Sequence, residues 1–114
     1  MLDAIFSVTL VFPHLPDNYQ VRAEREAYRL ARAALLQNST WTVPARARVH
    51  YEFYLSTEHE LPTCFLVSRC LPWLHGLQRA GLLASCSGLS LWIGSASLMK
   101  AKHDQTRLII EHRQ

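Results

Sequence analysis

The 114-residue sequence has no run of the roughly 18 apolar residues that a membrane-spanning helix needs. It carries Asp3 near the N-terminus, where a secretory signal peptide has Lys or Arg, so we expect no leader. Its three cysteines include no Cys-x-x-Cys pair, which favours reduced thiols over a disulfide framework. These absences predict a cytoplasmic protein without a membrane partner.

Internal repeats and low-complexity segments are also absent, and the composition is that of a folded protein. Apolar residues make up 49% of the chain and aromatic residues 10%, which excludes intrinsic disorder. The length predicts a single domain over residues 1–114. The net charge of +3 permits a nucleic acid partner without arguing for one.

Hydrophobic periodicity predicts four strands and two helices in the order β-α-β-α-β-β. Strands are expected over 4–12, 46–56, 89–99 and 107–112, and helices over 21–37 and 65–80. Pro72 lies inside the second helix, so we expect that helix to begin near Ser68–Leu71 or to kink there. The pattern predicts an α+β fold with both helices on one face of a four-stranded mixed sheet.

Four segments follow one another in a distinctive order, and they cover nearly the whole chain. They run from Phe6 to Pro13, from Ala27 to Arg29, from Val49 to Phe53 and from Leu74 to Leu83. In this order and spacing they resemble the RusA family of Holliday junction resolvases, small dimeric endonucleases of bacteria and phages. The resemblance implies a RusA-like fold and a homodimer.

The same resemblance implies two groups of magnesium-binding carboxylates and a helical lysine. Counted from Ala80 and Gly81, these positions carry other residues: Phe65, Leu66, Val67 and Ser68; then Ser85 and Cys86; and Leu71 for the lysine. The chain has no Asp or Glu between Glu60 and Asp104, so no shift of the alignment restores the site. We therefore expect a catalytically inactive relative, with no metal and no cofactor.

An active endonuclease with a different site stays an alternative. The loop residues Glu58, His59 and Glu60 could hold a metal ion, although such a polar loop is more often only solvated. Zinc is not expected at Cys64, Cys70, His75 and Cys86, because their spacing lacks the short pairs of structural zinc sites.

Serine catalysis is not expected either. The candidates Ser85, Ser87, Ser90, Ser95 and Ser97 lack a Gly-x-Ser-x-Gly elbow.

Basic residues form two groups that could bind the phosphates of branched or duplex DNA. Arg22, Arg25, Arg29 and Arg32 lie on one stripe of the first helix, opposite its apolar face. Lys100, Lys102 and Arg107 lie near the last turn. The alternative is a solvated face in which Glu26 pairs with its arginine neighbours. DNA binding without cleavage is the function that these groups and the resemblance predict.

The second helix is apolar nearly all round, which predicts burial on more than one face. We expect a homodimer interface, or the surface for another protein, at Phe65, Leu66, Val67, Trp73, Leu74 and Leu77. An effector that binds and inhibits a host or defence protein through this surface is the alternative function.

Overall fold

Among the described residues, four strands and three helices follow in the order β1-α1-β2-α2-α3-β3-β4. The computed structural model describes residues 5–17, 20–38, 40–57, 61–87 and 90–113. The elements are β1 (Ile5–Phe12), α1 (Gln20–Gln37), β2 (Ala47–Leu55), α2 (Thr63–Arg69), α3 (Leu71–Ala80), β3 (Leu91–Lys100) and β4 (Gln105–Arg113). The predicted α+β class is confirmed. None of the helices in the described part of the chain has the length and apolar character that crossing a bilayer requires.

The second predicted helix is interrupted at Cys70, which separates α2 from α3. Pro72 is responsible, because it lacks an N–H and is tolerated only in the first turn of a helix. It occupies that turn in α3, as the sequence predicted. Gly81 ends α3 with a φ of 89°, a left-handed conformation that favours glycine.

The strands form one four-stranded mixed sheet, as predicted, and their order in the sheet is β1-β4-β2-β3. β4 pairs antiparallel with both β1 and β2, whereas β2 and β3 are parallel. A parallel pair requires a long crossover connection, and the segment that contains α2 and α3 supplies it. β3 comes last in the strand order and is an edge strand.

In the part of the chain that the structure describes, helices cover one face of the sheet. Along β2, buried residues alternate with partly exposed ones, and the buried residues share one core with the helices. The opposite face, which we call the open face, carries exposed residues such as Thr9 and Val11 and the half-buried His50, Glu52 and Tyr54. The sheet thus presents its own polar side chains to solvent.

Helices α1 and α3 pack closely because small residues line their contact. Ala23, Ala27 and Ala31 of α1 are buried, and so is Gly76 of α3. A Cβ atom added at Gly76 would lie 2.3 Å from the backbone oxygen of Glu24. Glycine at position 76 therefore sets the distance between the two helices.

The apolar residues of α2 and α3 are covered mainly by the chain itself, which corrects the predicted interface. Leu66, Trp73, Leu74 and Leu77 are between 0% and 6% exposed and belong to the core. Trp73 stacks on Phe12 of β1 with ring centroids 3.9 Å apart. The sheet and α1 bury these side chains within the chain, so a second copy is not needed to cover them.

The two other residues of the predicted interface have different surroundings. Phe65 is 40% exposed, and the guanidinium carbon of Arg69 lies 4.1 Å from its ring centroid. Val67 is partly buried and packs against the core. Of the predicted interface, therefore, Phe65 offers the most surface to a partner.

Candidate functional site

Three of the four predicted stripe arginines line one groove on the helical side of the protein. Its volume is about 1120 Å³. The described residues that line it are Gln20, Val21, Arg22, Arg25, Tyr28, Arg29 and Arg79. The spacing along α1 therefore correctly grouped Arg22, Arg25 and Arg29. We call this concavity the arginine groove.

Arg79 is the groove residue that sequence reasoning missed. It lies on α3, and the close packing of α3 on α1 brings it to the groove. Its Nη1 donates to Oε1 of Glu24 at 3.0 Å, and its guanidinium carbon lies 5.6 Å from the centroid of the Tyr28 ring. A pattern within α1 could not indicate a residue from another helix. The signal in the sequence was Gly76, because a glycine inside a helix allows a second helix to pack closely against it.

The arginine groove is strongly basic. Four of its described lining residues are arginines and none is acidic. Neither Arg25 nor Arg29 has a hydrogen-bond or ion-pair partner among the described residues. Their positive charges are therefore available to an anion.

Glu26 is engaged by His14 and Trp73. Both of its carboxylate oxygens lie 2.8 Å from Nε2 of His14, and Nε1 of Trp73 donates to Oε1 at 3.2 Å. Burial lowers the pKa of His14, but its hydrogen bonds to the Leu15 carbonyl and to Glu26 raise it, and the net pKa shift is upward. The carboxylate of Glu26 therefore supports a protonated His14.

Arg32 does not line the arginine groove. Its Nη1 points at the carbonyl oxygen of Ala80, 3.5 Å away, at the C-terminal end of α3. A cation is favoured there because the last carbonyls of a helix carry partial negative charge. Arg32 thus stabilises the contact between α1 and α3.

The second predicted basic group lies apart from the first. Arg107 is on the open face of the sheet, in register with Glu52, and its guanidinium carbon is 5.2 Å from the Tyr54 ring centroid. Lys100 ends β3 and Lys102 lies in the exposed turn that follows. Because α1 covers the other face of the sheet, Arg107 and the arginine groove do not form one continuous surface.

The cysteines behave as apolar side chains. Cys70 is buried and its Sγ contacts the Leu66 carbonyl oxygen at 3.3 Å. Burial raises the pKa of the Cys70 and Cys86 thiols, which disfavours the thiolate that a metal needs. No group of three or more potential metal ligands occurs within the described ranges, and the Glu58–Glu60 loop lies outside them.

The sequence matches no protein-family model and no curated protein. Among solved structures, the chain is similar to thiamine monophosphate kinase from Aquifex aeolicus, with a TM-score of 0.46 and 11% identity. This match covers 96% of the chain and 34% of the kinase. The kinase from Stenotrophomonas maltophilia K279a matches with a TM-score of 0.44 and 8% identity, over 98% of the chain and 31% of the kinase.

These findings correct the RusA resemblance. The structures named above are kinases and not resolvases. The comparisons therefore give no support to the RusA-like assignment, the DNA-binding pseudo-resolvase function or the classification as a non-enzyme. The chain spans about a third of the length of these kinases, and TM-scores under 0.5 assign neither their fold nor their activity to it.

Proposed function

We propose that the arginine groove binds a phosphorylated small molecule of nucleotide size. The observation that carries the proposal is the convergence of four arginines from α1 and α3 on one groove whose described lining contains no carboxylate. A guanidinium group recognises phosphate oxygens through pairs of charge-assisted hydrogen bonds. Several arginines can therefore hold two or three linked phosphates.

Tyr28 supports a ligand with a flat ring. Its side chain lies in the groove and the residue is 38% exposed. An aromatic ring offers a stacking surface to a base, and stacking contributes roughly 1–3 kcal/mol per base. Arg79 beside Tyr28 would place a positive charge next to the stacked ring.

The extent of the basic surface favours a small ligand. The groove volume of about 1120 Å³ slightly exceeds the roughly 300–1,000 Å³ typical of small-molecule sites. Beyond the groove, Arg32 is directed to the end of α3 and Arg107 lies on the other side of the sheet. The groove therefore matches one short chain of phosphates.

Calorimetric titration with ATP and with inorganic pyrophosphate tests the proposal. We expect Arg25→Glu and Arg29→Glu each to weaken ATP binding at least tenfold, equivalent to about 1.4 kcal/mol. Lys102→Glu is the matched control, because it makes the same charge change in the exposed turn after β3. Equal losses in all three variants, or no binding of either ligand by the unaltered protein, would refute a site in the arginine groove.

The homodimer and the cytoplasmic location also remain proposals. A second copy is supported by the edge strand β3, where Trp92 is 43% exposed and Ile93 is 64% exposed. A reducing compartment is supported by the three free cysteines.

A further inference from the structure

A serine, a histidine and a glutamate meet on the open face of the sheet. Ser95 of β3, His50 of β2 and Glu111 of β4 lie on three adjacent strands. His50 Nδ1 is 2.9 Å from Ser95 Oγ, and His50 Nε2 is 3.5 Å from Glu111 Oε2. The imidazole therefore stands between a hydroxyl and a carboxylate.

A β-bulge in β3 produces this arrangement. Val49 pairs with Ile93, whereas His50 pairs with Ser95, so Gly94 is the extra residue. A Cβ atom added at Gly94 would lie 2.3 Å from Cε1 of the His50 ring. Glycine at position 94 therefore gives the imidazole room to lie across β3 and reach Ser95.

The two ring nitrogens of His50 have different surroundings. Nε2 is buried and has no hydrogen-bond partner among the described residues; its separation from Glu111 suits an ion pair but exceeds a good hydrogen bond. The nearby carboxylate favours the tautomer with the proton on Nε2. In that tautomer the lone pair of Nδ1 faces Ser95, where it can accept the hydroxyl proton.

We propose that Ser95 is a nucleophile towards small carboxylic esters, with His50 as its general base and Glu111 as the positioning residue. Ser95 is exposed, so an acyl group can reach it. An adjacent base and an orienting carboxylate are what a serine needs to become reactive. The site lies across the sheet from the arginine groove and does not depend on the function proposed there.

The reaction has two balanced steps. In the first, Ser95 Oγ bonds to the acyl carbon, its proton moves to His50 Nδ1, the ester C–O bond breaks, and the proton passes to the leaving alkoxide. In the second, a water oxygen bonds to the acyl carbon and gives a proton to His50. The bond from Ser95 to the acyl carbon then breaks, and His50 returns the proton to Oγ. The products are a carboxylic acid and an alcohol.

An alkyl fluorophosphonate probe tests the nucleophile directly. Ser95 Oγ would bond to phosphorus and displace fluoride, while its proton moves to His50. Intact mass and peptide mapping should then place one phosphonyl group on Ser95. Ser95→Ala should abolish the label, whereas Ser97→Ala, two residues along the same strand, should keep it. An unlabelled native protein, a label on another residue, or equal labelling of both variants would overturn the proposal.

Hydrolysis of p-nitrophenyl acetate tests the two other residues. His50→Gln should lower kcat about 100-fold, within the range for loss of a general base. Glu111→Gln should lower kcat with little change in KM, and Glu111→Asp should restore part of it. If Glu111→Gln loses activity and circular dichroism shows that it has also lost folded structure, Glu111 has a structural role and does not position His50. Unchanged rates in all variants would exclude the site.

Discussion

Gly76→Ala is the change for which the structure predicts the largest effect from a single methyl group. The new Cβ atom would lie 2.3 Å from the Glu24 carbonyl oxygen and 2.8 Å from the Ala27 Cβ. Ordinary contact begins at 3.4 Å, so α1 and α3 must separate by about 1 Å. The obstacle is backbone, which cannot rotate away as a side chain can.

The magnitude follows from two opposing effects. Overpacking costs typically about 1–3 kcal/mol, and contact with backbone favours the upper end. Alanine regains about 1 kcal/mol over glycine in a helix. The net loss in the free energy of unfolding is therefore about 2 kcal/mol, or roughly 8 °C in melting temperature for a chain of this size. His75→Ala, at the exposed neighbouring position, should stay within about 0.5 kcal/mol.

Urea unfolding followed by circular dichroism measures both variants, and titration with ATP adds a functional reading. Because Arg79 reaches the arginine groove from α3, separation of the helices should also weaken ATP binding in Gly76→Ala. A Gly76→Ala protein as stable as the original, or more stable, would show that α1 and α3 are not this close and would refute the reasoning.

Two further predictions concern pH and assembly. The pKa of His14 is raised in the folded state above its unfolded value of 6.5. Its contribution to stability should therefore be complete below pH 6.5 and disappear as the pH rises through the folded pKa. Urea unfolding from pH 5 to 9 should show this loss, and a His14→Gln variant with the same pH dependence would contradict it. If two copies associate through β3, sedimentation of the native protein should give a dimer. Ile93→Lys should then give a monomer, whereas Leu36→Lys, at another exposed apolar position, should stay dimeric. A native protein that is monomeric at all concentrations would contradict the dimer prediction.

The periodicity of the chain was sufficient to predict its local structure. β-Branched and aromatic runs marked the strands, Pro72 marked the break between α2 and α3, and the mixed four-stranded sheet followed from the strand and helix order. These features depend on short-range backbone preferences and on burial of one face, which neighbouring residues determine. The spacing of Arg22, Arg25 and Arg29 predicted that they share one side of the first helix, and all three line the arginine groove.

The interface prediction was limited for a physical reason. An apolar helix can be covered by another copy or by its own chain, and the sequence pattern is the same in both cases. Only the packing of α3 against α1 and the stacking of Trp73 on Phe12 distinguish them. The resemblance to resolvases also depended on local sequence. Similar short segments occur wherever a chain forms a strand or ends a helix with Ala-Gly.

Sequence by itself determined the element types, the one-sided burial of the sheet and the arginine stripe, because each arises from residues close together along the chain. Tertiary structure alone decided which distant residues meet. It brought Arg79 to Tyr28, turned Arg32 to the end of α3, and placed Ser95 against His50 through the bulge at Gly94. These contacts arise from the strand order and from the packing of α3 on α1, which bring together residues that lie far apart in the sequence.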